Sequence, residues 1–210
     1  MTELKEQLQK ALVELRKNKE RKFVQTLDLI VNLQKFDVKK NQINAFINVP
    51  HKIKDKKIAG FFESKREDID VISANDFKKF RDKKVAKKIA NKYDFFVAQA
   101  SLMPQIATVF GRILGPAGKM PSPQLGILAN VDEKTVKEIK EKINRSIKLR
   151  AKQPSIKLAI GKQSMSDEQL IENIFVVYNS LIKILPKERD NIKNFEIKFT
   201  MTKPVKIKIR

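Results

Sequence analysis

The chain ends in two alternating stretches, Phe195-Glu-Ile-Lys-Phe-Thr200 and Val205-Lys-Ile-Lys-Ile209. Side chains of a β-strand point to opposite faces in turn, so this pattern of apolar and charged residues predicts two half-buried strands. The backbone N–H and C=O groups of a strand need partners in a sheet. The first half of the chain supplies unpaired strands, and we therefore expect both chain ends to fold into one sheet.

The expected partner strands follow a helix near the start of the chain. Thr2, a favourable N-cap residue, precedes four leucines at helical spacing: Leu4, Leu8, Leu12 and Leu15. Residues 23–34 then alternate with a period of two, and residues 43–49 do so again before Pro50. This order predicts one helix and two antiparallel strands, an α+β sheet packed on one face.

From residue 58 onward, short apolar strands alternate with helices. Strands are predicted at residues 58–62, 69–72 and 95–98, and further helices at 77–92 and 132–144. The first of these helices is basic and amphipathic, with four residues expected to face inward: Phe77, Phe80, Val85 and Ile89. Strands that alternate with helices predict a βαβ unit with parallel pairing.

The strand pattern resumes after Arg145. Two strands are predicted at residues 147–150 and 156–160. A helix then begins at Ser166, and Gln169 stands three residues later in the capping-box position. These elements are of the same kind as those that open the chain.

The predicted architecture is therefore a two-domain protein of mixed α+β and α/β class. A discontinuous antiparallel α+β sandwich domain comprises residues 1–57 plus 145–210, and a Rossmann-like βαβ domain, residues 58–144, is inserted into it. The inserted part holds 16 basic and 11 acidic residues, which leaves 29 basic and 13 acidic residues for the discontinuous domain. That domain thus carries a net charge of +16 out of +21.

This charge points to a polyanionic partner. The chain has 45 Lys+Arg against 24 Asp+Glu, and its 41% of hydrophobic residues suffices for a folded core. Nucleic acid is the commonest partner of such a protein, because neutralising phosphates releases counterions. A proteome rich in lysine is the alternative explanation, although it does not account for the low number of acids.

Several classes of protein are excluded by composition. With no Cys and one His, the chain cannot hold thiolate zinc sites, disulfides or a His relay, and we expect no cofactor and no metal. No apolar run approaches the roughly twenty residues of a bilayer span, so we expect no membrane association and a soluble, cytoplasmic protein. His51 follows Pro50 without an evident acid–base partner, and we expect no catalytic residues.

Residues 111–126 form a segment rich in glycine and proline, which predicts a loop with a fixed backbone path. A nucleotide-binding P-loop is not formed, because Ile113 and Met120 occupy two required positions. Gly115-Pro116-Ala117-Gly118 is similar to the loop of KH-type RNA-binding modules. Contact with RNA and a purely structural role both remain open for the candidate loop residues: Gly111, Gly115, Pro116, Gly118, Lys119 and Pro121.

Five segments carry a resemblance to a known family. They are Lys22-Phe23 with Thr26 and Asp28, Val49-Pro50-His51, Asp94-Phe-Phe-Val-Ala-Gln-Ala100 with Leu102-Met103-Pro104, Gly111 to Pro121, and Thr200-Met201 with Pro204-Val205. Together they resemble the family of the large-subunit ribosomal protein numbered one, in its archaeal form. The similarity covers nearly the whole chain, and the segments occur in family order.

The resemblance implies a non-enzymatic RNA-binding protein of the mobile ribosomal stalk. Its first domain, built from both chain ends and joined to the second by a hinge, would bind large-subunit rRNA near the tRNA exit site. It would assist the release of deacylated tRNA and repress translation of its own mRNA. The implied protein is monomeric when free, bound to ribosomes in the cytoplasm, and in contact with other ribosomal components.

The resemblance, with the basic segment after residue 145, gives the candidate RNA-binding residues: Lys22, Phe23, Thr26, Asp28, Arg150, Lys152, Thr200, Met201, Thr202 and Lys203. Thr202 stands where the family usually has Gly, and Ala151 and Ala117 replace a common Asp and Arg. Phe23 falls on the apolar side of its strand pattern, which favours the core over RNA. Asp28 would accept a hydrogen bond from a ribose 2′-hydroxyl or pair with a neighbouring lysine.

Two further hypotheses remain open. One is an RNA- or nucleotide-processing enzyme that uses the glycine-rich segment, against which the failed P-loop spacing argues. The other is a translational repressor that acts away from the ribosome, which is compatible with a ribosomal role.

Overall fold

The computed structural model describes residues 2–19, 21–38, 40–41, 43–64, 69–129, 132–151 and 153–208. The chain divides into two compact units. Unit 1 comprises Met1–Lys54 and Arg145–Arg210, and unit 2 comprises Asp55–Asn144. The candidate RNA-binding residue Lys152 and the expected strand residue Ile209 lie outside the described residues.

The helices and strands follow one another in this order along the chain: α1 (Thr2–Arg16), β1 (Thr26–Leu33), β2 (Asn44–Asn48), β3 (Ile58–Phe61), β4 (Asp70–Ile72), α2 (Lys83–Lys92), β5 (Phe95–Gln99), α3 (Met103–Ala117), β6 (Ile127–Leu128), α4 (Glu133–Asn144), β7 (Ser146–Arg150), β8 (Ser155–Lys162), α5 (Asp167–Ile184), β9 (Ile192–Phe199) and β10 (Val205–Ile207). Short 3₁₀ helices span Ala74–Arg81, Ala100–Leu102 and Glu188–Asn191.

The main sheet of unit 1 joins the two chain ends. Its order is β10-β9-β1-β8, and every pairing is antiparallel. The N-terminal strand β1 lies at the centre, between two strands from the C-terminal part of the chain. The expectation that the final strands find partners near the start of the chain is confirmed.

The second N-terminal strand does not join β1. The expectation that β1 and β2 lie in one antiparallel sheet was wrong, because β2 pairs with β7 in a separate two-stranded ribbon. The backbone groups of β1 are already satisfied on both sides by β8 and β9. The ribbon continues past the strands, where Val49 N donates to Arg145 O at 2.8 Å.

The core of unit 1 lies between its sheet and two helices. Helices α1 and α5 contact one face of the sheet, and β1 sends its alternate residues Leu27, Leu29 and Val31 into this core with no exposed surface. The capping box of α5 is confirmed, since Gln169 N donates to Ser166 Oγ and Gln169 Oε1 accepts from Ser166 N. This rigid frame leaves the other face of the sheet to carry polar groups.

One buried amide fixes the chain that leads out of unit 1. Asn173 of α5 is fully buried. Its Nδ2 donates to the carbonyls of His51 and Ile160, each at 3.1 Å, and its Oδ1 accepts from His51 N at 3.0 Å. A buried polar group with all its bonds made is stable in a core, so Asn173 holds residue 51 on the helix.

Unit 2 is built around a parallel sheet in the order β4-β3-β5-β6, as the alternating pattern predicted. The predicted helix at residues 77–92 is instead a 3₁₀ helix followed by α2, because Asp82 caps the new helix by accepting from Lys84 N at 2.9 Å. Val85 was expected to face inward, yet 38% of it is exposed. The buried side of α2 consists of Ala86 and Ala90.

The segment after residue 111 is not a loop throughout, which corrects the sequence interpretation. Helix α3 continues through Gly111, Gly115 and Pro116 and ends at Ala117. Its buried stripe of Ile106, Phe110 and Leu114 outweighs the low helix propensity of two glycines, which is about 1 kcal/mol each. Pro116 falls in the last turn.

The backbone conformation at the end of α3 favours a glycine at position 118. Gly118 has a φ of 69°, in the left-handed region that glycine adopts without strain. Its N–H donates to Gly115 O, and Lys119 N donates to Leu114 O, both at 2.9 Å. These two bonds form a Schellman motif.

No helix among the described residues has the length and apolar character that crossing a bilayer requires.

We predict that unit 1 folds without unit 2. Replacing residues 55–144 by a flexible linker of about eight residues should preserve it, because the bond between Val49 and Arg145 brings the two connections together. Amide hydrogen exchange would show protection of β1, β8 and β9 in the deletion variant. A fully exchanging β1 in that variant would contradict the prediction.

Candidate nucleic-acid interface

Three chain segments meet at one end of the unit 1 sheet, where β1 begins and β9 ends. Thr26 N donates to Thr200 Oγ1, and Thr200 N donates to Thr26 O, each at 3.1 Å. Lys162, at the end of β8, lies opposite Thr26 in the sheet register. We call this region the sheet-end surface, which comprises Arg21–Val24, Thr26, Lys162 and Thr200–Lys203.

Large apolar side chains are exposed on this surface. Phe23 is 52% exposed, Val24 60% and Met201 58%, which makes them three of the six exposed large apolar residues in the described part of the chain. Phe23 was a candidate for RNA contact whose place in the strand pattern favoured the core. It is exposed instead, because β1 begins three residues later, at Thr26. Apolar groups clustered in water mark an interaction site more often than scattered ones do.

Gln25, the residue directly before β1, is buried although its side chain is polar. It is 3% exposed, and its Oε1 accepts from Met201 N at 3.1 Å. Its backbone carbonyl accepts from Gln163 N at 2.8 Å. One buried amide thus ties the segment before β1 to the turns that follow β9 and β8, so the exposed residues around it are held in place.

Thr202 closes the turn after β9. Its Oγ1 accepts from Phe199 N at 2.9 Å, and its backbone N donates to Phe199 O at 3.0 Å. The hydroxyl is therefore engaged within the turn, although the family pattern has glycine at this position. Thr200 and Met201, at the tip of the turn, are exposed.

Exposed cations surround the apolar patch. Lys22, Lys203 and Lys162 are all exposed. Lys162 belongs to the basic segment after residue 145 but was not among the candidate residues, and simple alternation from Ala159 would point it inward. A β-bulge between the pairs Leu27–Gly161 and Asp28–Ala159 places both Ile160 and Gly161 in the core and returns Lys162 to the outer face.

Gly161, next to the bulge, packs closely against Leu170 of α5 and against Met165. A Cβ at Gly161 would lie 2.3 Å from Leu170 Cδ2 and 3.0 Å from Met165 Sδ. A side chain at position 161 would therefore displace the side chains of Leu170 and Met165. The signal in the sequence was the glycine inside a strand pattern, which often indicates a bulge.

Asp28 lies on the outer face of β1, in register with Lys198 of β9. Partial burial raises the pKa of Asp28 above its ordinary value of 3.8, and attraction to Lys198 opposes this effect. Desolvation is the larger cause. The carboxyl group is thus an acceptor beside a cation, one step along β1 from Thr26.

Arg150, a candidate residue from the sequence, is not part of this group. Arg150 ends β7 and is exposed. Four residues later, Pro154 O accepts from Leu33 N at the opposite end of β1. The structure therefore brings together Lys22, Phe23 and the residues of the 200–203 turn around Thr26, and it does not bring Arg150 to them.

The comparisons with known proteins agree with one another. A model of the "Ribosomal protein L1p/L10e family" matches residues 15–203. The chain belongs to this family. It is 33% identical over 202 residues to "Large ribosomal subunit protein uL1" of Nanoarchaeum equitans, an alignment that covers 91% of this chain and 95% of that protein.

Other archaeal relatives with the same name are similar over nearly their full lengths. Identity to the protein of Thermofilum pendens is 37% over 217 residues, covering 97% of this chain and 92% of the relative. Identity to that of Methanobrevibacter smithii is 38% over 202 residues, covering 90% and 92%. The resemblance inferred from the five sequence segments is confirmed.

The glycine-rich segment of this L1-family chain makes structural contacts. Lys119 Nζ donates to Ala90 O and Tyr93 O, both at 2.8 Å, and so satisfies carbonyls at the end of α2. Pro121 is buried, whereas Gly115 and Pro116 are exposed on the last turn of α3. These contacts favour the structural role for Lys119 and leave only the exposed turn available to a ligand.

His51 and the acidic side chains do not form a metal site in the described ranges. No group of three His, Asp or Glu side chains there could hold a metal ion. His51 does have a partner that the sequence analysis missed, since its Nε2 lies 2.6 Å from Glu172 Oε2 on α5. Together with the backbone bonds from Asn173, this contact fastens the chain to α5.

We predict a measurable pH effect from Asp28. Because its folded-state pKa is raised, protonated Asp28 contributes stability at low pH, and this contribution is lost as pH rises from 3.8 through the folded-state pKa. Asp28→Asn should flatten the pH dependence of unfolding in that window. Lys198→Gln should raise the pKa of Asp28 further, which NMR titration of its carboxyl carbon would detect. A midpoint at or below 3.8 in the unmodified protein would contradict this assignment.

Proposed function

We propose that this protein is a structural component of the large ribosomal subunit that binds large-subunit rRNA through the sheet-end surface. One observation carries the proposal: exposed Phe23, Val24 and Met201 stand among lysines on a turn that buried Gln25 holds in place. The names of its archaeal relatives agree with a ribosomal role. The family consists of ribosomal proteins rather than enzymes.

The cations of the surface supply affinity. Lys22, Lys162 and Lys203 reach outward and would neutralise backbone phosphates, which releases counterions. Lysine is a point charge on a flexible stem, so these contacts position the RNA and do not read bases. The discontinuous domain defined from the sequence, residues 1–57 plus 145–210, has a net charge of +16, which also favours attraction of a polyanion.

The apolar and hydroxyl groups supply selectivity for a shaped RNA. The wide, shallow minor groove of A-form RNA exposes sugars and 2′-hydroxyls, against which flat apolar side chains pack. Phe23 and Met201 would lose water on such a surface, and Thr200 would accept or donate one hydrogen bond. Asp28, behind them on β1, would accept from a 2′-hydroxyl, a group that DNA lacks.

Finer parts of the function rest on the resemblance. We propose that the bound rRNA is that of the mobile stalk near the tRNA exit site, and that the protein assists release of deacylated tRNA. We propose also that the same surface binds a similar site on the protein's own mRNA and represses its translation. The protein would then be monomeric when free and ribosome-bound in the cytoplasm.

Variants of the surface should separate charge from shape. For roughly six to ten phosphate contacts, affinity for a stalk rRNA fragment should fall by about 10³–10⁵ between about 50 and 200 mM salt. Lys22→Gln should reduce the salt slope by about 0.9. Phe23→Ala and Met201→Ala should each weaken binding about tenfold with an unchanged slope, since each removes about 1–2 kcal/mol of apolar burial. Filter binding across a salt series measures the affinity and the salt slope of the unmodified protein and of the three variants.

The matched control is Val13→Ala, which removes an equally exposed apolar group from α1, outside the surface. Its affinity should equal that of the unmodified protein. Equal affinity of the unmodified protein for stalk RNA and for a random duplex would sink the specific claim.

Competition tests the proposed repressor role. An unlabelled fragment of the protein's own mRNA should displace the stalk rRNA fragment, because one surface would serve both. Met201→Ala should weaken both RNAs by the same factor, about tenfold. An mRNA fragment that binds without displacing the rRNA fragment would show that repression, if present, uses another surface.

A further inference from the structure

Helix α2 of unit 2 carries a lysine surface that the proposed function does not use. Five of its ten residues are exposed lysines: Lys83, Lys84, Lys87, Lys88 and Lys92. The helix contains no acid. We call these five side chains the α2 lysine face.

These lysines repel one another. Lys83 and Lys87, and likewise Lys84 and Lys88, stand four residues apart, where like charges destabilise a helix. The first two also lie in the first turn, where the helix dipole disfavours cations. Asp82 before them serves as the N-cap for Lys84 N.

Few intramolecular contacts relieve this repulsion. Lys92 Nζ lies 3.7 Å from Asp70 Oδ2 and 4.9 Å from the centre of the Tyr93 ring. Across the described ranges of the chain, Lys83, Lys84, Lys87 and Lys88 have no ion-pair partner. The arrangement is unfavourable for the isolated protein and becomes favourable when a polyanion covers it.

A general excess of lysine in the chain does not explain the face. Helix α4, in the same unit, has four lysines of its own, interleaved with Glu133, Glu138 and Glu141. Its Lys137 pairs with Glu133 at 2.8 Å. Both helices are amphipathic and exposed on one side, yet only α2 excludes acids.

We propose that the α2 lysine face binds the phosphate backbone of structured RNA, as a second RNA contact separate from the sheet-end surface. The helix is about 15 Å long, which matches several successive phosphates. Its outward side carries lysines and no aromatic or Arg side chain to read bases, so binding is electrostatic and independent of sequence.

A membrane surface fits this helix less well. Basic amphipathic helices that lie on membranes insert their apolar side between lipid headgroups. The apolar side of α2 is already occupied, since Ala86 and Ala90 are buried in the core of unit 2 with Phe61 and Phe110. The exposed side carries five lysines and one partly exposed apolar residue, Val85, which favours a polar polyanion.

The test uses the full-length protein and a random-sequence RNA duplex. The variant K83Q/K84Q/K87Q/K88Q should lower the salt slope of binding by about 2–4 and weaken binding at about 50 mM salt by tenfold or more. The control K134Q/K137Q/K140Q/K142Q loses the same charge from α4 and should change affinity by less than about threefold. Lys→Arg at the four α2 positions should preserve binding, because the charge remains.

Several results would overturn the proposal. They are an unchanged slope in the α2 variant, equal losses in the α2 and α4 variants, a loss in the Arg variant, or α2-dependent binding to phosphatidylserine vesicles with RNA binding unaffected. If the fourfold Gln variant lost its helix by circular dichroism, the pairs K83Q/K87Q and K84Q/K88Q should each give about half the slope change.

The two proposals fail in different ways. The α2 variants should keep the preference for stalk RNA over a random duplex, because that preference belongs to the sheet-end surface. A protein without that preference but with an α2-dependent slope would refute the proposed function and retain this inference.

Discussion

The pairing of β1 with β8 on one side and β9 on the other holds unit 1 together. It satisfies both backbone edges of the strand and places Leu27, Leu29 and Val31 at the centre of the core. It also brings Thr26 against Thr200, residues from opposite ends of the sequence. The sheet-end surface exists only because this strand is central.

The exposed apolar side chains of the sheet-end surface are held on a rigid backbone. Exposure of Phe23 and Met201 to water costs free energy, and a disordered segment could lower this cost by burying such side chains against the protein. Buried Gln25 prevents this, because it bonds to the backbone on both sides of the patch. A surface held ready in this way loses little conformational entropy on binding, which favours tight and selective recognition. The α2 lysine face complements it with attraction that does not depend on shape.

Periodicity predicted the parts of the fold in which each residue's environment follows from its neighbours in sequence. The strands β1 and β9, the capping box of α5 and the parallel sheet of unit 2 are of this kind. The failures concern competition between distant segments. Phe23 continued an apolar pattern, but the tertiary bonds of Gln25 ended it. β2 found β7 because β1 was already paired, and α3 continued through two glycines because its stripe was buried. Lys162 faces outward because of a bulge in β8, which strand alternation alone does not predict.

The central position of β1 also affects the order of events during synthesis. Thr26 and Thr200 are 174 residues apart. At roughly 5–20 residues per second, the nascent β1 waits about 10–35 s for β9 to be made. The contiguous unit 2 is complete well before then and is free to fold in the interval. Until β8 and then β9 have been made, the edges of β1 lack partners in the sheet, and an unpaired apolar strand is prone to aggregation, a risk that the contiguous unit 2 does not share.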